Sequence, residues 1–480
     1  MASSRFLWFV VCALFIGALV QWQRSVALVV VSSVAPRASP RLRELSTPPF
    51  PPPQPSPKTH SPPPVPPPPP PLPPVACPLV FLYNTSVLLR DHATTLYRDA
   101  YGPSLGDMPG LYDSQQHAVG ALLLSRLLRS ARCRTDDPAR ASLFVVPLLF
   151  KPPRAPTKEE SAVVWEFMPP NTLEMIKPVC DLLATTNWRI ALPHLNTQTA
   201  ARHLFVPGGT QLEIFYQCAR IDKAFDERFN SGADAPLLAQ FAHLETGTVG
   251  DPKRAVMSMP LVSSVHLRSA ELVAGRPPWA LRDVSARPWL LSYGGSLMGS
   301  PEAKAIRTVL VEKCRAYGNA TCRLLNCNND NCIMASADSL RRAFDAKRTS
   351  VFCLEPPGFG WERKSMADAL TLGCIPVTFT PERDREIWPV HWGPWRAQSR
   401  VLLDGRRVVS GEIDVLSQLR SIPHERVRAM QRSIAANAHR IHYALDDSPG
   451  DALEVLLDSV SRPPPRWLRL ALAVKLRTSG

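Results

Sequence analysis

The chain has 480 residues, more than one ordinary domain holds, and its 45% apolar content suits a globular protein of about two folded domains plus extensions. A formal net charge of +14 favours anionic partners such as phosphates, acidic glycans or lipid headgroups. There is no zinc-finger spacing, no compact basic stripe with interleaved aromatics and no arginine-rich tract, so nucleic acid is not an expected partner.

The apolar run Phe6 to Val20, "FLWFVVCALFIGALV", is broken by Gln21 to Ser25 and followed by "VALVVVSSVA". It is short for a spanning helix and long for a cleaved leader, so a signal anchor and a signal peptide both fit. Arg24, Arg37, Arg41 and Arg43 follow the run and only Arg5 precedes it, a bias that mildly favours the opposite orientation. A type II anchor is still expected, because a stem follows. Many of the chain's 51 prolines crowd between Pro36 and Pro78, where almost nothing can be buried. Polyproline II at about 3.1 Å per residue makes this a semi-rigid spacer on the order of 100 Å. A cell-wall structural segment or an SH3/WW ligand is the rival reading.

The folded region opens with the strand-like "CPLVFLYN", then a helical pattern over Ser114 to Ser130, then a strand at Leu143 to Phe150. "WRIALPH", "ARHLFVPGG" and "RAVMSMPLV" read as further strands. Strands alternating with helices predict an α/β fold with mainly parallel sheets. Proline and charge between Ala274 and Pro288 mark a linker. A second series follows, with "PWLLSYGG", the helical "SPEAKAIRTVLVEKCRAYG", a cysteine-rich loop, "ADSLRRAFDAKRTSVFCLEPPG" and "GCIPVTFT". Late helices are expected over "VLSQLRSI", "HERVRAMQRSIAANAHRIHYAL" and "DALEVLLDSVSR".

Of eleven cysteines, Cys314, Cys322, Cys327 and Cys332 are bunched. Zinc is one reading, but the gaps do not match paired short zinc spacings, and local disulfides bracing a loop fit better in an oxidising compartment. Acceptor patterns for N-glycosylation begin at Asn84 and Asn319.

Two loops can carry chemistry. "YGGS", Tyr293 to Ser296, and "PPGFGWERKS" each follow a strand and precede a helix, the place where open α/β sheets bind phosphate. Arg363 and Lys364 at a helix start oppose its macrodipole unless an anion rests there. Asp368, four residues beyond Lys364, can accept the two hydroxyls of a ribose, or simply pair with Lys364.

The run "TSVFCLEPPGFGWERKSMADALTLGCIPVTF" resembles the exostosin-type glycosyltransferases, family 47, through Phe352, Cys353, Leu354, Pro356, Gly358, Asp368, Ala369, Gly373, Cys374, Ile375, Pro376 and Val377. Upstream, "RCRTDDPARASLFVVPLLF", "ARHLFV" and "RPWLLSYGG" resemble further family segments, so the resemblance spans about Cys77 to Leu445. Ser365 stands where the family often has arginine, and Arg202 where it has aspartate, with His203 as the matching histidine.

The resemblance implies a GT-B fold of two Rossmann-like domains facing across a cleft, in a Golgi membrane protein of type II topology with its catalytic domain in the lumen. It implies transfer of a sugar from a nucleotide donor, usually UDP-linked, to a glycan or glycoprotein acceptor with inversion. The expected organisation is a cytoplasmic tail and anchor over residues 1–34, the stem over 35–76, an acceptor domain over 77–280, a nucleotide-sugar domain over 281–445 and a helical extension over 446–480. Gly294, Gly295, Gly358, Arg363, Lys364 and Ser365 are expected to hold the donor diphosphate and Asp368 its ribose. His203 and His266 are the candidate bases for the acceptor hydroxyl. No Asp-x-Asp pattern occurs, so no metal is expected to be strictly required; homo- or hetero-oligomers are open. A fold-retaining, catalytically inactive membrane-tethered glycan-binding or scaffold protein is the alternative, as is a structural wall protein.

Overall fold

The computed structural model describes residues 77–83, 101–106, 110–114, 116, 118–148, 192–196, 198–207, 242–246, 255–274, 277–280, 286–326, 337–358 and 360–461. The expected anchor and stem, the sequon at Asn84, and Cys327 and Cys332 lie outside them. Among the described residues no helix is long and apolar enough to cross a membrane.

The first half contains β1 (Val80–Leu82), α1 (Val119–Arg129), β2 (Leu143–Leu148), β3 (His203–Pro207), β4 (Ala242–Thr246), β5 (Ala255–Met259) and α2 (Ser269–Ala274). The second half contains β6 (Trp289–Gly295), α3 (Pro301–Tyr317), β7 (Cys322–Asn326), α4 (Ala337–Thr349), β8 (Ser350–Leu354), α5 (Lys364–Thr371), β9 (Ile375–Thr378), β10 (Val401–Leu402), α6 (Gly405–Val409), α7 (Val415–Arg420) and α8 (His424–Asn437). The last described helix is α9 (Ala452–Ser461). Strand β4 has no counterpart in the sequence reading, and "CRLLN", read there as part of a cysteine-rich loop, is strand β7.

Both sheets are parallel throughout, in order β1-β2-β3-β4-β5 and β10-β9-β8-β6-β7. Among the described strands the first sheet runs in sequence order. The second reverses between β6 and β8, the doubly wound arrangement whose crevice lies beyond the carboxyl ends of the two strands flanking the reversal. The runs that fill this sheet explain its position: β8, "SVFCL", is buried at every residue because it lies between β6 and β9 with helices over it.

Local chemistry sets the helix ends. Ser300 caps α3 by accepting from the Ala303 N–H, Pro301 opens the helix, and Gly318 at φ +74° ends it. Helix α5 closes in a Schellman turn: Gly373 N–H donates to Leu370 O (3.1 Å) and Cys374 N–H to Ala369 O (2.8 Å), with Gly373 at φ +70°. A disulfide joins Cys353 on β8 to Cys374 just before β9, closing the loop around α5. Others join Cys77 to Cys133 and Cys314 to Cys322.

Although α9 falls in the expected C-terminal extension, its Ala452, Leu453, Leu456, Leu457 and Val460 share a core with Val80, Leu123, Leu143 and Val206 of the first half. The chain thus returns to the first half before its last described helix. Arg126 of α1 fixes this return, donating to Ala444 O (2.6 Å) and to Asp451 Oδ2 (2.9 Å). Oδ1 of Asp451 accepts from Glu454 N–H at the start of α9 (3.1 Å).

Candidate functional site

The strand reversal puts the loops after β6 and β8 side by side, and these are the two glycine loops singled out in the sequence. Ser300 N–H donates to Gly358 O (3.2 Å), tying one loop to the other. A Cβ on Gly299 would fall 3.0 Å from Gly358 O, so glycine is required for this backbone approach. Gly294 and Gly295 end β6, and a Cβ on Gly294 would meet nothing within 4 Å: the strand end opens onto free space.

Two guanidinium groups converge on these loops. Arg307 of α3, 3% exposed, donates through Nε to Pro357 O and through Nη1 to Ser296 O, both at 2.7 Å, and its Nη2 would lie 3.0 Å from a Cβ on Gly358. Arg363, the residue before α5, places Nη2 3.2 Å from a Cβ on Gly295, and its Nη1 is 3.4 Å from Pro356 O. Among the described residues neither has a carboxylate within salt-bridge distance. Burial, reinforced by the positive charge of Arg363, lowers the Arg307 pKa to about 10. Burial also raises the phenol pKa of neighbouring Tyr293, against the pull of Arg363 and Arg307. No side chain caps the N-terminus of α5, and its first turn carries no acidic residue. Two guanidiniums and an uncapped helix start make this end of the sheet cationic, with Glu355 the acidic group that acts on Arg307 and Tyr293, and an anion would offset the excess charge.

Lys364 and Asp368 belong to a different group. The Lys364 ammonium, with its side chain 11% exposed, donates to Ser264 Oγ and lies 3.5 Å from Asp368 Oδ2. Asp368, 5% exposed, accepts at Oδ1 from Ser263 Oγ (3.0 Å) and the Ser264 N–H (2.8 Å). Both its oxygens therefore face groups of the protein, not a ribose. The expected donor set thus divides, with Gly294, Gly295, Gly358 and Arg363 around the loops, Lys364 and Asp368 against the first half. Ser365 is half-buried one residue into α5.

Neither histidine is placed as the expected base. His203 is fully buried, donating from Nδ1 to Thr199 O (2.8 Å), with Nε2 3.0 Å from the Tyr83 hydroxyl and its ring stacked on Phe144. It opens β3, away from the carboxyl edge where ligands bind. His266 is also fully buried, donating from Nδ1 to Tyr443 O (2.7 Å), with Nε2 2.8 Å from Ser114 Oγ. Burial lowers their pKa values to about 4 and about 3, keeping both rings neutral. With every ring nitrogen engaged, neither can take a proton from an acceptor hydroxyl in this arrangement.

Arg202, where the resemblance has aspartate, donates to Ala141 O (3.2 Å) and sits over the Phe144 ring. Asn319 is exposed in the turn between α3 and β7, at the amino edge of the second sheet and opposite the glycine loops. Among the described residues the only group close enough to hold a metal is Cys77, Cys133 and Glu454, whose two sulfurs form a disulfide.

Arg307, Ser263 and Ser264 are not among the residues expected from the sequence. Arg307 had a legible signal, a charge inside the buried stripe Ala303, Ile306, Leu310, Val311 and Cys314 of α3. The serines had none, since their partner is 104 or more residues away.

The model for the "Exostosin GT47 domain" matches residues 78–390. The chain is 28% identical over 298 residues to a xyloglucan-specific galacturonosyltransferase 1 of Arabidopsis thaliana, covering 61% of this chain and 40% of that protein. It is 27% identical over 173 residues to xyloglucan galactosyltransferase MUR3 of the same plant, covering 36% of this chain and 26% of that one. It therefore spans about two fifths or less of these curated relatives. A solved pneumococcal O-GlcNAc transferase GtfA in complex with UDP and GlcNAc is similar at 10% identity and a TM-score of 0.26, over 62% of this chain and 60% of that one, a likeness too slight to carry an argument.

Proposed function

Because this chain belongs to the Exostosin GT47 domain family, we propose that it is an inverting glycosyltransferase that moves a sugar from a UDP-linked donor to a glycan acceptor. The observation that carries this reading is the Arg307–Arg363 pair, set between two glycine loops at the strand reversal without a carboxylate partner among the described residues. Such a site matches a diphosphate in charge and in position.

In this reading the first turn of α5 and the two guanidiniums neutralise the diphosphate as it leaves the sugar, so the largest electrostatic demand of the reaction is met by side chains and a helix end. A divalent ion is then not required. Neither His203 nor His266 is carried forward as the base. The two parallel sheets form the halves of a GT-B arrangement, with the acceptor facing the donor loops from the first half. The relatives named for xyloglucan make that polysaccharide the first acceptor to test, with galactose and galacturonic acid as the first sugars. The apolar N-terminus serves as a type II anchor in the Golgi, the proline stem carries the head into the lumen, and Asn84 and Asn319 carry glycans there. A glycan on Asn319 is compatible with activity because that turn is at the far edge of the sheet from the loops.

The test is transfer from UDP-galactose or UDP-galacturonic acid to xyloglucan oligosaccharides by the purified full chain, with and without a chelator. Product is expected in both conditions. Absence of product with every donor and acceptor, in a folded protein that does not bind UDP, would overturn the reading.

A further inference from the structure

The segment after β5 enters the second half. Leu261, Val265 and Leu267 are buried in the same core as Trp279, Leu370 and Leu372, and between them Ser263 and Ser264 are fully buried. Three residues of α5, at helical spacing on one face, engage these two serines. Lys364 donates to Ser264 Oγ; Asp368 Oδ1 accepts from Ser263 Oγ at 3.0 Å and from the Ser264 N–H at 2.8 Å; and Thr371 Oγ1 is 2.8 Å from Ser263 Oγ. The Val265 N–H also donates to Ser263 Oγ at 3.1 Å, which fixes the turn that presents the hydroxyl.

We propose that the Lys364–Asp368–Thr371 face of α5 is an interdomain latch for the Ser263–Ser264 segment, and that Asp368 is a positioning residue that sets the donor helix against the first half instead of binding the donor's ribose. This deepens the reading above and rests on it. The geometry favours a latch because the carboxylate's better-placed oxygen is already satisfied by two donors from the first half, and because the surrounding apolar residues close the cluster from water. Removing one partner of such a buried polar network leaves the others unsatisfied, so its members act as a unit and their effects do not add.

Two measurements on the full chain test it. In thermal unfolding, Ser263→Ala and Asp368→Asn each lower the melting temperature, and the double variant melts no lower than the worse single variant. In binding titrations, the ratio of affinities for UDP and 2′,3′-dideoxy-UDP is the same, within about threefold, in wild type and Asp368→Asn. In transfer assays both single variants lower kcat while the donor KM stays within about twofold. Additive losses of melting temperature would overturn the latch. So would an Asp368→Asn variant that binds UDP about tenfold or more weakly while dideoxy-UDP binding is unchanged, since the carboxylate would then be a ribose ligand. A wild-type protein that binds neither nucleotide would instead overturn the donor reading, and the unfolding comparison would still decide the latch.

Discussion

Arg307 occupies a position that the pattern of α3 otherwise reserves for apolar residues. A charge there is costly unless it is used, and among the described residues its hydrogen bonds go to the carbonyls of Pro357 and Ser296 in the two glycine loops. At this scale the sequence showed the anomaly but not its partner, because the approach of Arg363 depends on a strand reversal that no local pattern states. Lys364 shows the converse. Its place at a helix start suggested an anion ligand, yet its ammonium turns toward Ser264 because the first half packs there. Gly373 stood in the sequence only as one residue of the family-like run; in the structure it ends a helix before a buried strand, at φ +70°, and a Cβ would fall 2.9 Å from Arg287 Nη2. Gly373→Ala is expected to destabilise the fold by about 1–2 kcal/mol or more, read as a lower melting temperature.

The unit β8–α5–β9 carries half of the candidate site, and its boundaries were the clearest elements in the sequence. Apolar runs without alternation marked buried parallel strands, and the Pro/Gly loop between them marked the turn. The Cys353–Cys374 disulfide across this unit was not foreseen, since the thiols that drew notice were the bunched four. It closes a loop with a sequence separation of 21. By chain-entropy reasoning such a loop contributes about 3 kcal/mol. A Cys353→Ser, Cys374→Ser double variant is expected to lose roughly that in denaturant unfolding and to weaken UDP binding, because the turn that ends α5 then loses its covalent tie to β8.

For the molecule as a whole, parallel α/β architecture was legible from alternating strands and helices, whereas the return of α9 to the first core was not. Nothing in "DALEVLLDSVSR" names the surface it covers, and the ion pair that fixes it joins Arg126 to a residue 325 positions away. Asp451→Ala removes both a partner of buried Arg126 and an acceptor at the start of α9. A loss of about 3–5 kcal/mol is expected, with Asp451→Asn milder because the acceptor at the helix start remains. The buried histidines give the molecule a pH signature. Burial lowers His203 and His439 to about 4, and His266 and His391 to about 3, against an unfolded value of 6.5. The unfolded chain therefore binds more protons than the folded one below about pH 6.5. Stability is fully present above that pH and falls as pH drops toward 3–4, on the order of 1 kcal/mol per pH unit for each histidine. Melting curves between pH 7 and pH 5 should show the decline, and His266→Gln should reduce its slope.

If Arg307 and Arg363 hold the diphosphate of a nucleotide donor, titration of the full chain with UDP will show it. Wild-type protein is expected to bind UDP more tightly than uridine. Arg307→Gln or Arg363→Gln should each weaken UDP by about tenfold or more, leave uridine unchanged and reduce the salt dependence of binding. Equal affinities for UDP and uridine, or variants that bind UDP as wild type does, would contradict it.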